Sequence, residues 1–161
     1  MVLSRRRALQ AISDTSVFLA YSTIVIGGFV RAMGAGFACP DWPLCQGKVV
    51  PDLSNAVVAI EYTHRAIALS LGAFVVITFL AALLWYRSER RLVRLSSLTL
   101  VVLVPQVALG ALASTAARGP YVVSAHLALG TATFALTLLV AVAALGLPPG
   151  KATSDTHGDV V

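Results

Sequence analysis

The fold is decided by residues 57–86, VVAIEYTHRAIALSLGAFVVITFLAALLWY, where charged or imidazole side chains occur only at Glu61, His64 and Arg65. A bilayer's hydrocarbon core, about 30 Å thick, is crossed by about 20 apolar residues in helical conformation. This segment is therefore long enough to cross a membrane as one helix. Its ionisable side chains lie together near one end, and such groups are rare and usually functional inside a membrane.

Three further segments have the same character, at residues 17–33, 92–114 and 121–147. The whole chain is 58% hydrophobic and 12% charged, whereas soluble domains average about 25% charged residues. These features predict an all-α integral membrane protein with a bundle of four transmembrane helices at residues 1–147. The polar residues 148–161 are predicted to form a flexible cytoplasmic tail.

The basic residues predict the orientation of the bundle. Arginines precede the first segment and occupy the loop after the second, whereas the loops at the opposite ends hold Lys48 and Arg118. By the positive-inside rule, both termini are cytoplasmic and the loop between helices one and two is external. The net charge of +5 then favours anionic lipid and gives no support to nucleic-acid binding. The first segment is interpreted as a retained helix, because no small-residue cleavage site follows it.

A faint internal repeat relates the two halves of the bundle. Residues 26–29 (IGGF) resemble residues 108–111 (ALGA), which pairs Gly28 with Gly110, and His64 pairs with His126. The second and fourth helices run in the same direction, so both histidines lie roughly 8–10 Å along their helices. The repeat therefore predicts two imidazoles in the same layer.

Two facing imidazoles on non-adjacent helices of a bundle could serve as axial ligands of haem iron. Gly72 and Gly130 follow the histidines by two turns and one turn, where a missing side chain would let a porphyrin approach the backbone. The alternative is that each histidine hydrogen-bonds across the bundle, as polar groups in membrane helices often do. Zinc is less favoured, because its sites need three or four protein ligands.

The external loop contains Cys39 and Cys45, separated by residues that include two prolines. In an oxidising outer compartment these cysteines could form a disulfide. The bridge could be a structural staple over the bundle. It could also be a redox pair that exchanges with an external thiol-disulfide partner. The residues leave both interpretations open.

Glu61 lies one helical turn from His64, on the same face. At the membrane edge its carboxylate needs a partner, which Arg31 or Arg65 could supply, or it could accept protons beside a haem. Arg31, Arg65 and Arg118 could bind haem propionates, because guanidinium matches carboxylate geometry. Each of these arginine side chains could instead extend its charged end to the membrane–water interface.

These residues resemble the haem A synthase family over residues 17–147. The resemblance rests on GGFVR at 27–31, GAG at 34–36, CPDWPLC at 39–45, IEYTHR at 60–65, PQVALG at 105–110 and HLALG at 126–130. Met33 and Ala35 depart from the Thr and Ser that are usual in the family's glycine-rich turn. The Cys-Pro-Asp-Trp-Pro-x-Cys loop with Glu-x-x-His-Arg after it is the most specific part of the pattern.

The resemblance implies an oxidoreductase that converts the C8 methyl of haem O to a formyl group, giving haem A for terminal oxidases. In family terms, His64 and His126 match the haem-iron ligands, Glu61 matches the essential acidic residue, and Cys39 with Cys45 matches the external cysteine pair. Haem b is the implied prosthetic group.

Family members usually have eight helices in two four-helix halves, and this chain resembles one half. The resemblance therefore implies a homo-oligomer, supplied with haem O by a haem O synthase and connected to terminal-oxidase assembly. The alternative is a four-helix haem b protein that transfers electrons, or a haem carrier, without catalysis. An electron-transfer module would need the histidines but neither Glu61 nor the cysteine loop.

Overall fold

The computed structural model describes residues 2–114 and 119–146, which form four long helices. They are α1 (Val2–Ala32), α2 (Ala56–Trp85), α3 (Arg90–Ala113) and α4 (Pro120–Leu145). A short 3-10 helix, Ala35–Phe37, follows α1. All four long helices are long and apolar enough to cross a membrane. The predicted all-α membrane protein with a four-helix bundle is therefore confirmed, while the orientation of its termini stays a prediction.

The four helices surround a common core, and helices that are consecutive in the chain are neighbours in the bundle. Helix α1 packs against α2 and α4, and α3 packs against α4 and α2. Helices α2 and α4 therefore occupy opposite corners of the bundle. The two histidines of the repeat lie on these diagonal helices.

Helix α1 begins at Val2, well before the predicted start at residue 17, whereas the other helix ends lie within two residues of prediction. The early turns of α1 are helical because they pack on the bundle, with Leu9 fully buried in an apolar cluster. Arg6 Nη2 also donates a hydrogen bond of 2.6 Å to the carbonyl of Leu145. Carbonyls at a helix C-terminus lack helical partners and attract cations, so Arg6 ties the start of α1 to the end of α4.

A layer of buried hydroxyl groups crosses the bundle between two apolar clusters. Ser16 Oγ and Thr78 Oγ1 are 3.4 Å apart across α1 and α2, and most of the other hydroxyls bond to carbonyls one turn earlier in their own helices. The layer consists of Ser13, Ser16, Thr78, Ser96, Thr99, Thr133 and Thr137. The contact between Ser16 and Thr78 is of the kind that holds membrane helices together. The histidines lie in the other half of the bundle, beyond the cluster of Ala20, Leu71, Val75 and Leu103.

Candidate functional site

Each of the two bundle histidines packs against a glycine of the preceding helix. A Cβ atom built on Gly27 of α1 would lie 3.0 Å from Cε1 of His64, and one built on Gly110 of α3 would lie 3.0 Å from Cε1 of His126. Carbon atoms in contact are normally about 3.5–4.0 Å apart. Both glycines therefore leave the space that an imidazole ring occupies.

The repeat is real, but its register is one residue different from the prediction. A Cβ on Gly28 would meet no atom within 4 Å, so Gly27, not Gly28, corresponds to Gly110. The physical reason is that only the glycine facing the next helix must lack a side chain. Sequence similarity alone could not choose between two adjacent glycines.

The imidazole nitrogens also have related surroundings. His126 Nδ1 lies 3.1 Å from the carbonyl oxygen of Gln106, four residues before Gly110. Thr23 has the equivalent place in α1, four residues before Gly27, but no group described by the structure meets hydrogen-bond geometry at His64 Nδ1. A carbonyl beside Nδ1 favours the tautomer protonated there, which leaves Nε2 with a lone pair for a metal.

The two imidazoles are suited to haem iron. They lie on the diagonal helices α2 and α4, and each packs against a glycine of the helix that precedes its own. Within residues 2–114 and 119–146, no three His, Cys, Asp or Glu side chains converge as a metal site would require. A porphyrin supplies four ligands itself and needs only axial histidines from the protein, so the donor set fits haem.

The glycines expected to pack on the porphyrin differ in their surroundings. A Cβ on Gly72 would meet nothing within 4 Å, which leaves room at that position. A Cβ on Gly130 would meet Gln106 Nε2 at 3.0 Å, so this side chain covers the predicted contact. The Oε1 atom of Gln106 is buried and has no hydrogen-bond partner among the described residues. Sequence reasoning missed Gln106 and Gly27; a glutamine inside an apolar helix was the available signal for the first.

The α1–α2 loop, residues 33–55, is tied by a disulfide between Cys39 and Cys45, as predicted. Both cysteines are buried and pack with Val58 at the start of α2. The Asp41 carboxylate accepts hydrogen bonds from the backbone amides of Gln46 at 2.6 Å and Gly47 at 2.8 Å. The disulfide and Asp41 therefore close the same loop in two ways.

Acidification should release the carboxylate tie. The hydrogen bond from the Gly47 amide, together with that from Gln46, holds the pKa of Asp41 below its usual 3.8. A lowered pKa in the folded state means that the ionised carboxylate stabilises the loop above 3.8 and that this contribution is lost as the pH falls through the folded-state pKa. We expect hydrogen exchange of the Gln46 and Gly47 amides, corrected for its intrinsic pH dependence, to accelerate as the pH falls through the folded-state pKa of Asp41. An Asp41→Asn variant should lack this acceleration of exchange. If the variant showed the same acceleration, Asp41 could not be its origin.

Arg65 joins this loop to Glu61. Its Nε donates to Glu61 Oε1 at 2.8 Å, and its Nη1 donates to the carbonyls of Asp41 at 2.6 Å and Leu44 at 2.8 Å. Its Nη2 donates to the carbonyl of Cys39. A guanidinium has five N–H donors; the residues that the structure describes engage four of them and leave one for any haem propionate.

The arginines predicted to pair with Glu61 or to bind haem propionates have different surroundings. Of the two arginines proposed as partners of Glu61, the structure selects Arg65. Arg31 is exposed at the end of α1 and is available for a propionate. Arg118, and the tail that contains His157, lie outside the described residues.

The family assignment follows from sequence comparison. Residues 11–59 and 54–159 match the model of the cytochrome oxidase assembly protein family, COX15-CtaA. The chain belongs to this family.

Similarity to individual members of the cytochrome oxidase assembly family is moderate. The chain is 33% identical over 121 residues to the haem A synthase of Bacillus mycoides strain KBAB4, which covers 73% of this chain and 38% of that protein. It is 31% identical over 90 residues to the haem A synthase of Shouchella clausii strain KSM-K16, covering 56% of this chain and 30% of that protein. The chain thus spans about a third of the length of these relatives. None of the solved structures compared is significantly similar to it.

Family membership agrees with the resemblance seen in the motifs and with location in a membrane. The first range includes the disulfide loop, and both ranges include the start of α2. The second range also includes the α3 and α4 residues that surround His126.

Proposed function

We propose that this member of the cytochrome oxidase assembly family is a haem A synthase, which oxidises the C8 methyl of haem O to a formyl group. The observation that carries the proposal is the buried carboxylate of Glu61, only 4% exposed, one turn from His64 and beneath the disulfide loop. A haem protein that only transferred electrons would need the histidine pair but no carboxylate and no tied loop. The haem A synthases among its relatives support the same assignment.

In this proposal the chain would bind and orient haem, and His64 and His126 would hold its iron. Gly27 and Gly110 hold the two rings in place by packing against them. Arg31 is the proposed propionate contact, and Arg65 has one remaining donor. When bound, haem iron supplies redox chemistry that no side chain of the protein can provide.

Glu61 is the proposed catalytic residue. Oxidation of a methyl to a formyl group releases protons, and a carboxylate within a turn of an iron ligand is suitably located to accept them. Its ion pair with Arg65 fixes one carboxylate oxygen by a bond of 2.8 Å. The loop above it limits access of water, because Cys39 and Cys45 are buried against α2.

The proposal is tested by the pigments that the protein yields. The chain is purified in detergent from cells that supply haem O, and its haems are identified by chromatography and mass. We expect haem A or its hydroxylated precursor from the wild type. Because general acid-base groups typically contribute about 10²–10⁴-fold to rate, Glu61→Gln should lower product formation by about this factor while haem is still bound.

Glu89→Gln is the matched control, since Glu89 precedes α3 at the opposite end of the bundle and makes no capping bond. It should leave product formation unchanged. Haem b as the only pigment, at equal levels in the wild type and Glu61→Gln, would refute the enzyme and favour the electron-transfer protein. The homo-oligomer, the haem O synthase partner and the link to terminal-oxidase assembly stay predictions.

A further inference from the structure

The three carbonyls that bind Arg65 all lie inside the ring closed by the disulfide. They belong to Cys39, Asp41 and Leu44, and the bridge joins Cys39 to Cys45, whose Cα atoms are 4.5 Å apart. One guanidinium can bind three carbonyls at once only if the backbone holds them in one arrangement. The disulfide-closed ring provides that arrangement.

The same guanidinium also holds Glu61. Arg65 and Glu61 lie four residues apart on α2, and their side chains are only 15% and 6% exposed. Water can therefore replace little of what the loop carbonyls provide to Arg65. A change in the loop must alter the position of the guanidinium or leave it short of partners.

We propose that Arg65 is a positioning residue that transmits the redox state of the Cys39–Cys45 bridge to Glu61. This inference rests on the proposed function, because it assigns a regulator to the same carboxylate. With the bridge oxidised, the loop carbonyls hold Arg65 so that Nε stays on Glu61. With the bridge reduced, the carbonyls separate and the ion pair changes geometry.

The redox step is a thiol-disulfide exchange with a dithiol reductant. Because Cys39 and Cys45 are buried, the loop must first open locally; one thiolate of the reductant then attacks a sulfur of the bridge, the S–S bond breaks, and a mixed disulfide forms. The second thiol of the reductant resolves the mixed disulfide. Cys39 and Cys45 gain two electrons and two protons in total, and the reductant leaves as its own disulfide.

Opening the bridge acts on the loop because a cross-link restricts the conformations of the chain that it closes. The Asp41 carboxylate still binds the amides of Gln46 and Gly47 after reduction. That tie holds Asp41 directly, whereas on the Cys39 side the bond of 3.0 Å from Gln46 Nε2 ends on the carbonyl of the neighbouring residue, Ala38. The carbonyl of Cys39 is therefore the first that Arg65 should lose.

The first test is infrared difference spectroscopy of the full-length protein in detergent, with the iron kept in one oxidation state and no haem O added. The spectrum of dithiol-reduced minus oxidised protein should contain a carboxylate stretching band. We expect this band to be lost in Glu61→Gln, which assigns it to Glu61, and in Arg65→Gln. Lys48→Gln removes an exposed cation from the same loop and should leave the band unchanged.

Arg65→Lys separates charge from geometry. Lysine keeps a cation near Glu61 but lacks the planar fork that reaches several carbonyls, so its reduced-minus-oxidised spectrum should lack the band although the protein is folded. The Cys39→Ser/Cys45→Ser variant keeps Arg65 but cannot form the bridge. Without any reductant, its carboxylate absorption should therefore match that of the reduced wild type. It remains informative even if both Arg65 variants fail to fold.

The second test compares product formation before and after reduction of the bridge, verified by alkylation and mass. The ratio of the two rates should differ from one in the wild type and equal one in Arg65→Lys. A wild-type spectrum without the carboxylate band, or a band that persists in Arg65→Lys, would overturn the inference. A band that behaves as expected in a protein that makes no haem A would refute the proposed function and leave the coupling standing.

Discussion

Replacing either His64 or His126 with alanine is expected to remove haem from the purified protein. Each imidazole packs against a glycine on which an added Cβ would lie 3.0 Å from the ring's Cε1 atom, and no other histidine lies within residues 2–114 and 119–146. Loss of an outer-shell partner of a metal ligand already weakens binding about 10–100-fold. Loss of a ligand itself should therefore lower haem affinity by more than about a hundredfold.

The measurement is the haem-to-protein ratio after purification, with the absorption spectrum of any haem that remains. His157→Ala is the matched control and should retain full haem content. Glycine variants at His64 and His126 should regain haem when imidazole is added to the buffer, because free imidazole can occupy the vacated position. Full haem content with an unchanged spectrum in His64→Ala and His126→Ala would exclude both as ligands.

The second large effect is expected from Gly27→Val. The added side chain would start 3.0 Å from Cε1 of His64 and must displace the ring. Overpacking of this kind typically costs about 1–3 kcal/mol, which corresponds to a loss of haem affinity of roughly 5- to 140-fold if it falls on the bound state. Gly110→Val should act in the same way on His126.

Gly28→Val is the control for Gly27→Val, since both substitutions place the same residue in the same helix. A Cβ at Gly28 meets nothing within 4 Å, so haem content and the absorption spectrum should match the wild type. The haem affinities of Gly27→Val, Gly110→Val and Gly28→Val are measured by haem titration. Equal losses in Gly27→Val and Gly28→Val would show that helix packing in general, and not the position of His64, governs haem binding.

The sequence by itself determined the helix count, the membrane location and the cysteine pairing. The length and hydropathy of a segment are local properties, so four apolar stretches predict four membrane helices without knowledge of their neighbours. Cys39 and Cys45 are separated by only six positions, and a short loop brings them together whatever surrounds it. The repeat also made His64 and His126 equivalent positions, and each of them packs against a glycine of the preceding helix.

Only the tertiary structure decided which side chains meet. It selected Gly27 over Gly28 and Arg65 over Arg31, and it placed Gln106 against Gly130. It also extended α1 back to Val2, since its early turns become helical by packing on the other helices. Each of these outcomes depends on the direction in which a helix face points, and that direction is set by contacts between residues far apart in the chain.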